Sequence, residues 1–385
     1  MKIAVPQEVR PGERRVGLVP ESCKKLIQSG YSITVEAGAG QAALFSDQAY
    51  RDAGCGIGTD PAAVMDSADL VVKVNPPAVG EGSERNELEW MRPGAIYLGS
   101  LMPLRNPGVV RALAARRITA FSTDAIPRTT RAQAMDTLSS MANIAGYKGV
   151  LLAAAELGKY FPMLMTAAGM VPPAKVFVVG AAVAGLQAIA TARRLGANVF
   201  ATDVRPEVKE QIESVGGKYV GIELNESAAA GGGYAKELSE ADQSRQKQLL
   251  AEQCAQADVV ITTALIGGVF APRLITAEMV RAMRPGSVIV DLAAEGGGNC
   301  ELSRLGETAV VGGITIIAPQ NLPASVPTHA SLLFSRNLTA FLQAFTKDGA
   351  FQLDFADDIQ QGCVITHDGE IRHGRTREAL AKAGV

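Results

Sequence analysis

The chain has 385 residues, with 37 Lys and Arg against 39 Asp and Glu, a formal charge of −2. At about 150 residues per domain this length predicts two or three domains with full cores, and the balanced charge argues against nucleic acid or an anionic membrane surface as the main partner. With 47 % hydrophobic and 20 % charged residues, extensive disorder is excluded as well. MKIAVP opens the chain as a strand, without a charged region leading into an apolar one, and no run approaches about 18 uninterrupted apolar residues. A soluble cytoplasmic protein with no secretory signal and no direct membrane span is expected.

Short β-branched runs alternate with helical patterns along the whole chain. Strands are predicted at Lys2–Val5, Ser32–Glu36, Leu70–Lys73, Ala95–Leu98 and Ile118–Ser122, with helix-period segments such as Pro20–Ser29 and Pro107–Ala115 between them. A second series follows at Val176–Val179, Val199–Thr202, Val259–Thr262, Val288–Asp291 and Ala309–Val311. Such alternation implies βαβ units and parallel sheets covered by helices on both faces. The fold class is therefore α/β, with two doubly wound Rossmann-like domains.

Two longer helical patterns lie outside that alternation. One runs from Arg131 to about Tyr160 with Met135, Leu138, Ala142, Ala145 and Leu152 apolar; the other runs from about Thr328 to Phe345 with Phe334, Leu338, Phe341 and Leu342. Each is longer than a crossover needs, so both are read as bridging helices that join the domains. Residues 1–140 plus 330–385 then form an N-terminal Rossmann-like, flavodoxin-like domain, and residues 141–329 a dinucleotide-binding Rossmann domain.

The most specific local signal is VFVVGAAVAGLQAIATARRLGANVFATDVR, residues 176 to 205. An apolar strand runs into Gly180, Ala182, Val183 and Gly185, then a helix, then a second strand ending at Asp203, Val204 and Arg205. Gly180 permits the tight turn and Gly185 lets the helix close on the strand; Ala182 stands where a middle glycine lets backbone approach a pyrophosphate. The helix N-terminus offers N–H groups to phosphates. Asp203 lies where a carboxylate accepts from both adenosine ribose hydroxyls and repels a 2′-phosphate, which favours NAD; Arg205 is the counter-indication.

In PRTTRAQAMDTLSSMANIAGY, residues 127 to 147, Asp136, Ser139, Ser140 and Asn143 fall at i, i+3, i+4 and i+7 and would share a helix face. That stripe either faces a ligand or is ordinary helix surface, with Thr130 and Gln133 as a capping box and Asp136 paired to Arg131 or Arg128. AAAGGGYAKELSEAD, residues 228 to 242, is either an insertion or a lid tipped by Tyr234 beside Gly233. Arg15 and Lys73, beside strand ends, either hold a small carboxylate or pair with local acids. The triple glycine Gly296–Gly298 is read as shaping the nucleotide wall.

Cys23, Cys55, Cys254, Cys300 and Cys363 lack metal-type spacing, so free thiols and no metal site are expected. The three histidines, His329, His367 and His373, all come late, which leaves nucleophilic cysteine chemistry without a base.

RPGERRVGL, the 127–147 segment, MTAAGMVPPAKVFVVGAAVAGLQAIATARRLGA and AGGGYAKE together resemble the NAD(H)-binding component of proton-translocating NAD(P) transhydrogenases, over nearly the whole chain. Alanine dehydrogenase is similar in its two domains, its dinucleotide motif and the Arg15 and Lys73 positions. The resemblance implies that NAD(H) is bound here and NADP(H) on a partner subunit, with direct hydride transfer between them coupled to proton translocation by membrane subunits. It implies that Arg128, Gln133, Asp136 and Ser139 act at the nicotinamide end with Leu138 beside them, that Tyr234 closes over the nucleotide, and that Leu265 flanks it. It further implies a homodimer held peripherally on the cytoplasmic face of the inner membrane through a membrane subunit and an NADP(H)-binding beta subunit. The chain's end at Val385 resembles the split form of the enzyme. The alternatives are a stand-alone amino-acid dehydrogenase and a non-catalytic NAD-binding regulator. Alanine dehydrogenases use a His after the fourth strand, where this chain has Met102, and that absence favours the transhydrogenase reading.

Overall fold

The computed structural model describes residues 1–79, 85–221, 239–265 and 271–382. In chain order the strands are β1 (Lys2–Val5), β2 (Ser32–Glu36), β3 (Gly56–Gly58), β4 (Leu70–Val72), β5 (Ile96–Gly99), β6 (Thr119–Ser122), β7 (Leu164–Thr166), β8 (Gly169–Val171), β9 (Lys175–Val179) and β10 (Asn198–Thr202). They continue as β11 (Lys218–Tyr219), β12 (Val259–Thr262), β13 (Val288–Asp291), β14 (Thr308–Val311), β15 (Ile314–Ile317), β16 (Thr346–Lys347), β17 (Ala350–Phe351), β18 (Val364–His367) and β19 (Glu370–Ile371). The chain divides into two compact units, residues 1–141 with 324–385, and residues 142–323.

The first unit holds a sheet of order β19-β18-β6-β5-β4-β1-β2-β3. Strands β1 to β6 pair in parallel, and β4, β5 and β6 are buried at every position, the composition expected when helices cover both faces. The C-terminal segment adds β18 antiparallel to β6, pairing Val364 with Phe121. Helix Pro327–Ala344 packs within this unit: Ser331 and Ser335 accept through Oγ from the Val16 and Val19 N–H groups, and Phe341 meets Phe121 at 5.6 Å between ring centres. The sequence makes this helix a bridge; in the structure the chain returns at residue 324, before it, and its apolar face is used inside the first unit.

The second unit is a sheet of order β11-β10-β9-β12-β13-β15-β14, parallel except for the edge strand β14. Val176 and Val178 of β9 pack on one face with Ala188, Ile189 and Ala192 of helix Val183–Arg194. Phe177 and Val179 pack on the other with Leu250, Cys254 and Met279. Strand order reverses at β9 and β12, the place where ligands bind doubly wound sheets, beyond the carboxyl ends of the strands. Strand β15 was not expected from the sequence. Gly312 and Gly313, with φ of +60° and +83°, turn the chain from β14 into it as a two-residue hairpin.

The first long helix also differs from its expected extent. Residues Thr130–Met135 form a 3₁₀ turn, Asp136 breaks it at ψ 90°, and the α-helix runs Thr137–Glu156. The division between units falls inside this helix. Within the second unit it approaches helix Val183–Arg194 so closely that a Cβ on Gly146 would lie 2.1 Å from the Ala184 carbonyl oxygen. Among the described residues no helix is long and apolar enough to cross a membrane.

Candidate functional site

Strand β9 ends at Val179, and Gly180 follows at φ +92°, a conformation that L side chains rarely adopt. Its N–H is held by the Thr202 carbonyl of β10, so the turn is tied to the neighbouring strand. Helix Val183–Arg194 then starts with Ala182 at the N-cap, which supplies no side-chain acceptor, leaving first-turn N–H groups for a ligand. A Cβ on Gly185 would stand 1.9 Å from the Gly180 carbonyl oxygen, so only glycine lets helix and strand meet. Ala182 has φ −81° and is exposed, so its departure from glycine costs the turn nothing. Val183, next along, is exposed as well. A turn, an open helix N-terminus and a close helix–strand approach fit a pyrophosphate.

Asp203 follows β10 and its carboxylate is almost fully occupied by the protein. Oδ2 accepts from Ala181 N–H at 2.8 Å and from Arg205 Nη2 at 2.9 Å; Oδ1 accepts from Arg205 N–H at 3.0 Å and Arg205 Nε at 2.9 Å. Val204 is the half-buried link between the two. The Asp203 hydrogen bonds raise the Arg205 pKa against the opposing effect of burial.

Beyond β12, Thr263 Oγ donates to the Gly180 carbonyl at 3.0 Å, and Leu265 ends the described part of the loop half-buried. Asn299, fully buried, accepts from Ala264 N–H and donates to the Ala264 and Pro272 carbonyls, all at 2.8–2.9 Å. Thr263 and Asn299 were missed in the sequence. The signal for Asn299 is its place after Gly296–Gly298, where φ of +108° at Gly297 and +85° at Gly298 returns the chain to β12.

In the 127–147 segment the expected capping box between Thr130 and Gln133 is not formed; Thr129 precedes the 3₁₀ turn without a side-chain bond, and Gln133 is exposed. Asp136 caps the following helix instead, its Oδ1 accepting from Ser139 N–H at 2.8 Å and its Oδ2 from Ser139 Oγ at 2.6 Å. The expected single helix face therefore does not exist, because Gln133 and Asp136 precede the α-helix. Arg131 pairs with Asp357 at 2.6 Å and with Asp358, not with Asp136. Arg128 is exposed, and Leu138 and Ser139 are half-buried. Asn143 Nδ2 donates to Gln187 Oε1 at 3.1 Å. Gly233 and Tyr234 lie outside the described residues.

Arg15 and Lys73 pair with local acids. Arg15 donates from Nε and Nη2 to Glu13 at 2.8 and 2.7 Å, and Lys73 Nζ to both oxygens of Glu87 at 2.6 and 2.5 Å. Glu8, 3.9 Å from Lys73, accepts from Val74 N–H at 2.6 Å and Asn75 Nδ2 at 3.1 Å. Tyr97 closes the cluster by donating to the Asn75 carbonyl. Burial pushes the Glu8 pKa up, with Lys73 opposing. Burial also opposes the charge of Glu13, but the Arg15 fork and Asn75 outweigh it and bring its pKa from 4.5 to about 2. A carboxyl lowered in the fold stabilises it above pH 4.5, and that contribution drains away as pH falls towards 2. Glu13→Gln should therefore lower stability at pH 7, by about 3 kcal/mol at most, and remove part of the loss between pH 5 and 3. Urea unfolding across that range checks this; identical pH profiles for the two proteins would refute it.

Met102 occupies the position where a histidine was sought, half-buried at φ +43°, with its N–H donated to Asp124 at 3.1 Å. All five cysteines are buried free thiols. Among the described residues no group of His, Cys, Asp and Glu is placed to hold a metal.

The family description "Alanine dehydrogenase/PNT, N-terminal domain" matches residues 4–145, and "Alanine dehydrogenase/PNT, C-terminal domain" matches residues 149–374. The first of the split polypeptides of NAD(P) transhydrogenase subunit alpha in Rhodospirillum rubrum is 47 % identical over 379 residues, covering 97 % of this chain and 98 % of the relative. The crystal structure of transhydrogenase from Sinorhizobium meliloti superposes with a TM-score of 0.87 at 43 % identity, over 96 % of this chain and all of that one. Alanine dehydrogenase 2 of Staphylococcus aureus is more distant, 30 % identical over 86 % of this chain and 84 % of its own length. The chain belongs to the alanine dehydrogenase/PNT family, and within it groups with the NAD(P) transhydrogenase alpha subunits.

Proposed function

We propose that the chain binds NAD(H) on the Gly180–Gly185 turn and passes hydride directly to NADP⁺ held on a separate subunit, in a complex that couples transfer to proton movement. The observation that carries this division is the pairing of Arg15 with Glu13 and of Lys73 with Glu87. The two cations that would hold a small carboxylate substrate are already neutralised inside the protein, while the dinucleotide turn keeps free donors. Transfer between two nicotinamide C4 atoms needs no protein base, which agrees with Met102 in place of a histidine. The work of the chain is positioning, orientation and exclusion of water.

In this reading Gly180, Ala182, Val183 and Gly185 take the pyrophosphate, Asp203 to Arg205 the adenosine ribose, and Leu265 the strand-end side. Arg128, Gln133, Asp136 and Ser139, with Leu138, take the nicotinamide end; Gly233 and Tyr234 belong to the same proposed set. The Asp136–Ser139 hydrogen bonds support it, since they hold two polar side chains in one geometry at a helix start. The subunit naming of the relatives supports partner subunits, through which the chain would sit on the cytoplasmic face of the membrane, as a homodimer.

The test mixes the purified chain with an NADP(H)-binding subunit, NADH and an oxidised NADP analogue. Transfer should appear with the mixture and not with either protein alone, and L-alanine should give no NADH. Asp136→Asn should slow transfer by about 10²-fold with NADH affinity held within about tenfold, because small misplacement of reacting groups has effects of that size. Alanine-dependent NADH formation by the chain alone would overturn the proposal, as would a silent mixture.

A further inference from the structure

The Asp203 carboxylate has about four acceptor positions. Four donors already take them: Ala181 N–H, Arg205 N–H, Arg205 Nε and Arg205 Nη2, all at 2.8–3.0 Å. The side chains are largely withdrawn from water, with 7 % of Asp203 and 12 % of Arg205 exposed. Two ribose hydroxyls cannot donate to this carboxylate while the guanidinium fork holds one position on each oxygen. The fork can leave without losing all charge complementarity, because Glu207, two residues on and exposed, already acts on Arg205.

We propose that Arg205 is an internal competitor for the nucleotide: its guanidinium occupies the ribose carboxylate in the free chain and must swing off Asp203 for an adenosine ribose to bind. This deepens the reading that Asp203 takes the ribose, and rests on it. Displacing a charge-assisted fork lowers NADH affinity below what a bare carboxylate would give. The same guanidinium offsets the carboxylate charge that rejects a 2′-phosphate, so it softens the preference for NADH over NADPH. Arg205 is on this account a specificity-determining residue that weakens the preferred ligand and tolerates the other.

The experiment titrates NADH and NADPH separately into the full chain and into its Arg205→Ala, Arg205→Lys and Asp203→Ala variants, by nucleotide fluorescence. Arg205→Ala should tighten NADH by about three- to tenfold and weaken NADPH, widening the preference by about tenfold or more. Arg205→Lys should fall between, since an ammonium lacks the planar fork that engages both oxygens but keeps the charge. In an Asp203→Ala background, Arg205→Ala should no longer tighten NADH. Weaker NADH binding in both Arg205 variants would make the guanidinium a nucleotide contact and overturn the proposal. If Asp203→Ala weakens NADH while Arg205→Ala leaves both affinities unchanged, the ribose assignment stands and the competition is refuted. If Asp203→Ala leaves NADH affinity unchanged, the ribose assignment falls and the proposal falls with it.

Discussion

Lys73→Met is expected to destabilise the first unit by about 3–5 kcal/mol, the usual cost of removing one partner from a buried ion pair. Lys73 is 1 % exposed and holds both oxygens of Glu87, which is fully buried and otherwise accepts only from the Ala78 N–H at 2.8 Å. Without the ammonium, two carboxylates, Glu87 and Glu8, would share an apolar interior. A loss of that size is a large fraction of a typical domain's stability of about 5–15 kcal/mol. Lys73→Met with Glu87→Leu should recover most of it, since an apolar pair of similar volume is often as stable as the ions it replaces. The single tryptophan, Trp90, ends the short helix Glu87–Trp90 that carries Glu87, so its fluorescence in urea reports this unit. A midpoint unchanged by Lys73→Met would show that the cluster contributes nothing to stability.

Gly185→Ala should reduce NADH affinity by more than about 100-fold while leaving the Trp90 transition in place. The added Cβ would stand 1.9 Å from the Gly180 carbonyl oxygen and 3.3 Å from Thr263 Oγ, so the helix must lift from the turn it closes. Helix lift carries the first-turn N–H groups away from the pyrophosphate position, and those groups are the main attraction for phosphate there. Ala182→Gly is the contrasting change: with φ at −81° the backbone needs no glycine, so affinity should move by less than about threefold. Gly185→Ala with affinity within tenfold of the parent would separate the motif from nucleotide binding. Together the two substitutions ask whether geometry or mere glycine content makes the turn.

The dinucleotide unit was legible because everything it needs is local. A buried β-branched strand, a positive-φ glycine, a helix start and a second strand follow one another within residues 176 to 205, and adjacent strands β9 and β10 pair in the same order. The parallel α/β class was legible for the same reason, since strand–helix alternation is a short-range pattern. Family membership was legible from segments of that kind and from the 127–147 segment. Local patterning was less informative where backbone breaks are made by a side chain. Asp136 reads as one residue of a continuous helical stripe, yet its carboxylate prefers the Ser139 N–H and ends the 3₁₀ turn.

Composition and spacing determined the class, the nucleotide turn and the absence of a histidine near Met102. Only the tertiary structure decided what each charge does. Arg15 and Lys73 read equally well as substrate-binding cations until folding brings Glu8 and Glu13 beside Asn75, more than 60 residues away in sequence, and Glu87 onto Lys73. Asp203 reads as an open carboxylate until the turn after β10 folds Arg205 back onto it. The C-terminal segment joins the first sheet only because β18 finds β6 across more than 200 residues of chain. In each case the deciding energy is the removal of a charge or a strand edge from water. That energy depends on which distant groups share the same interior, which residue spacing along the chain does not encode.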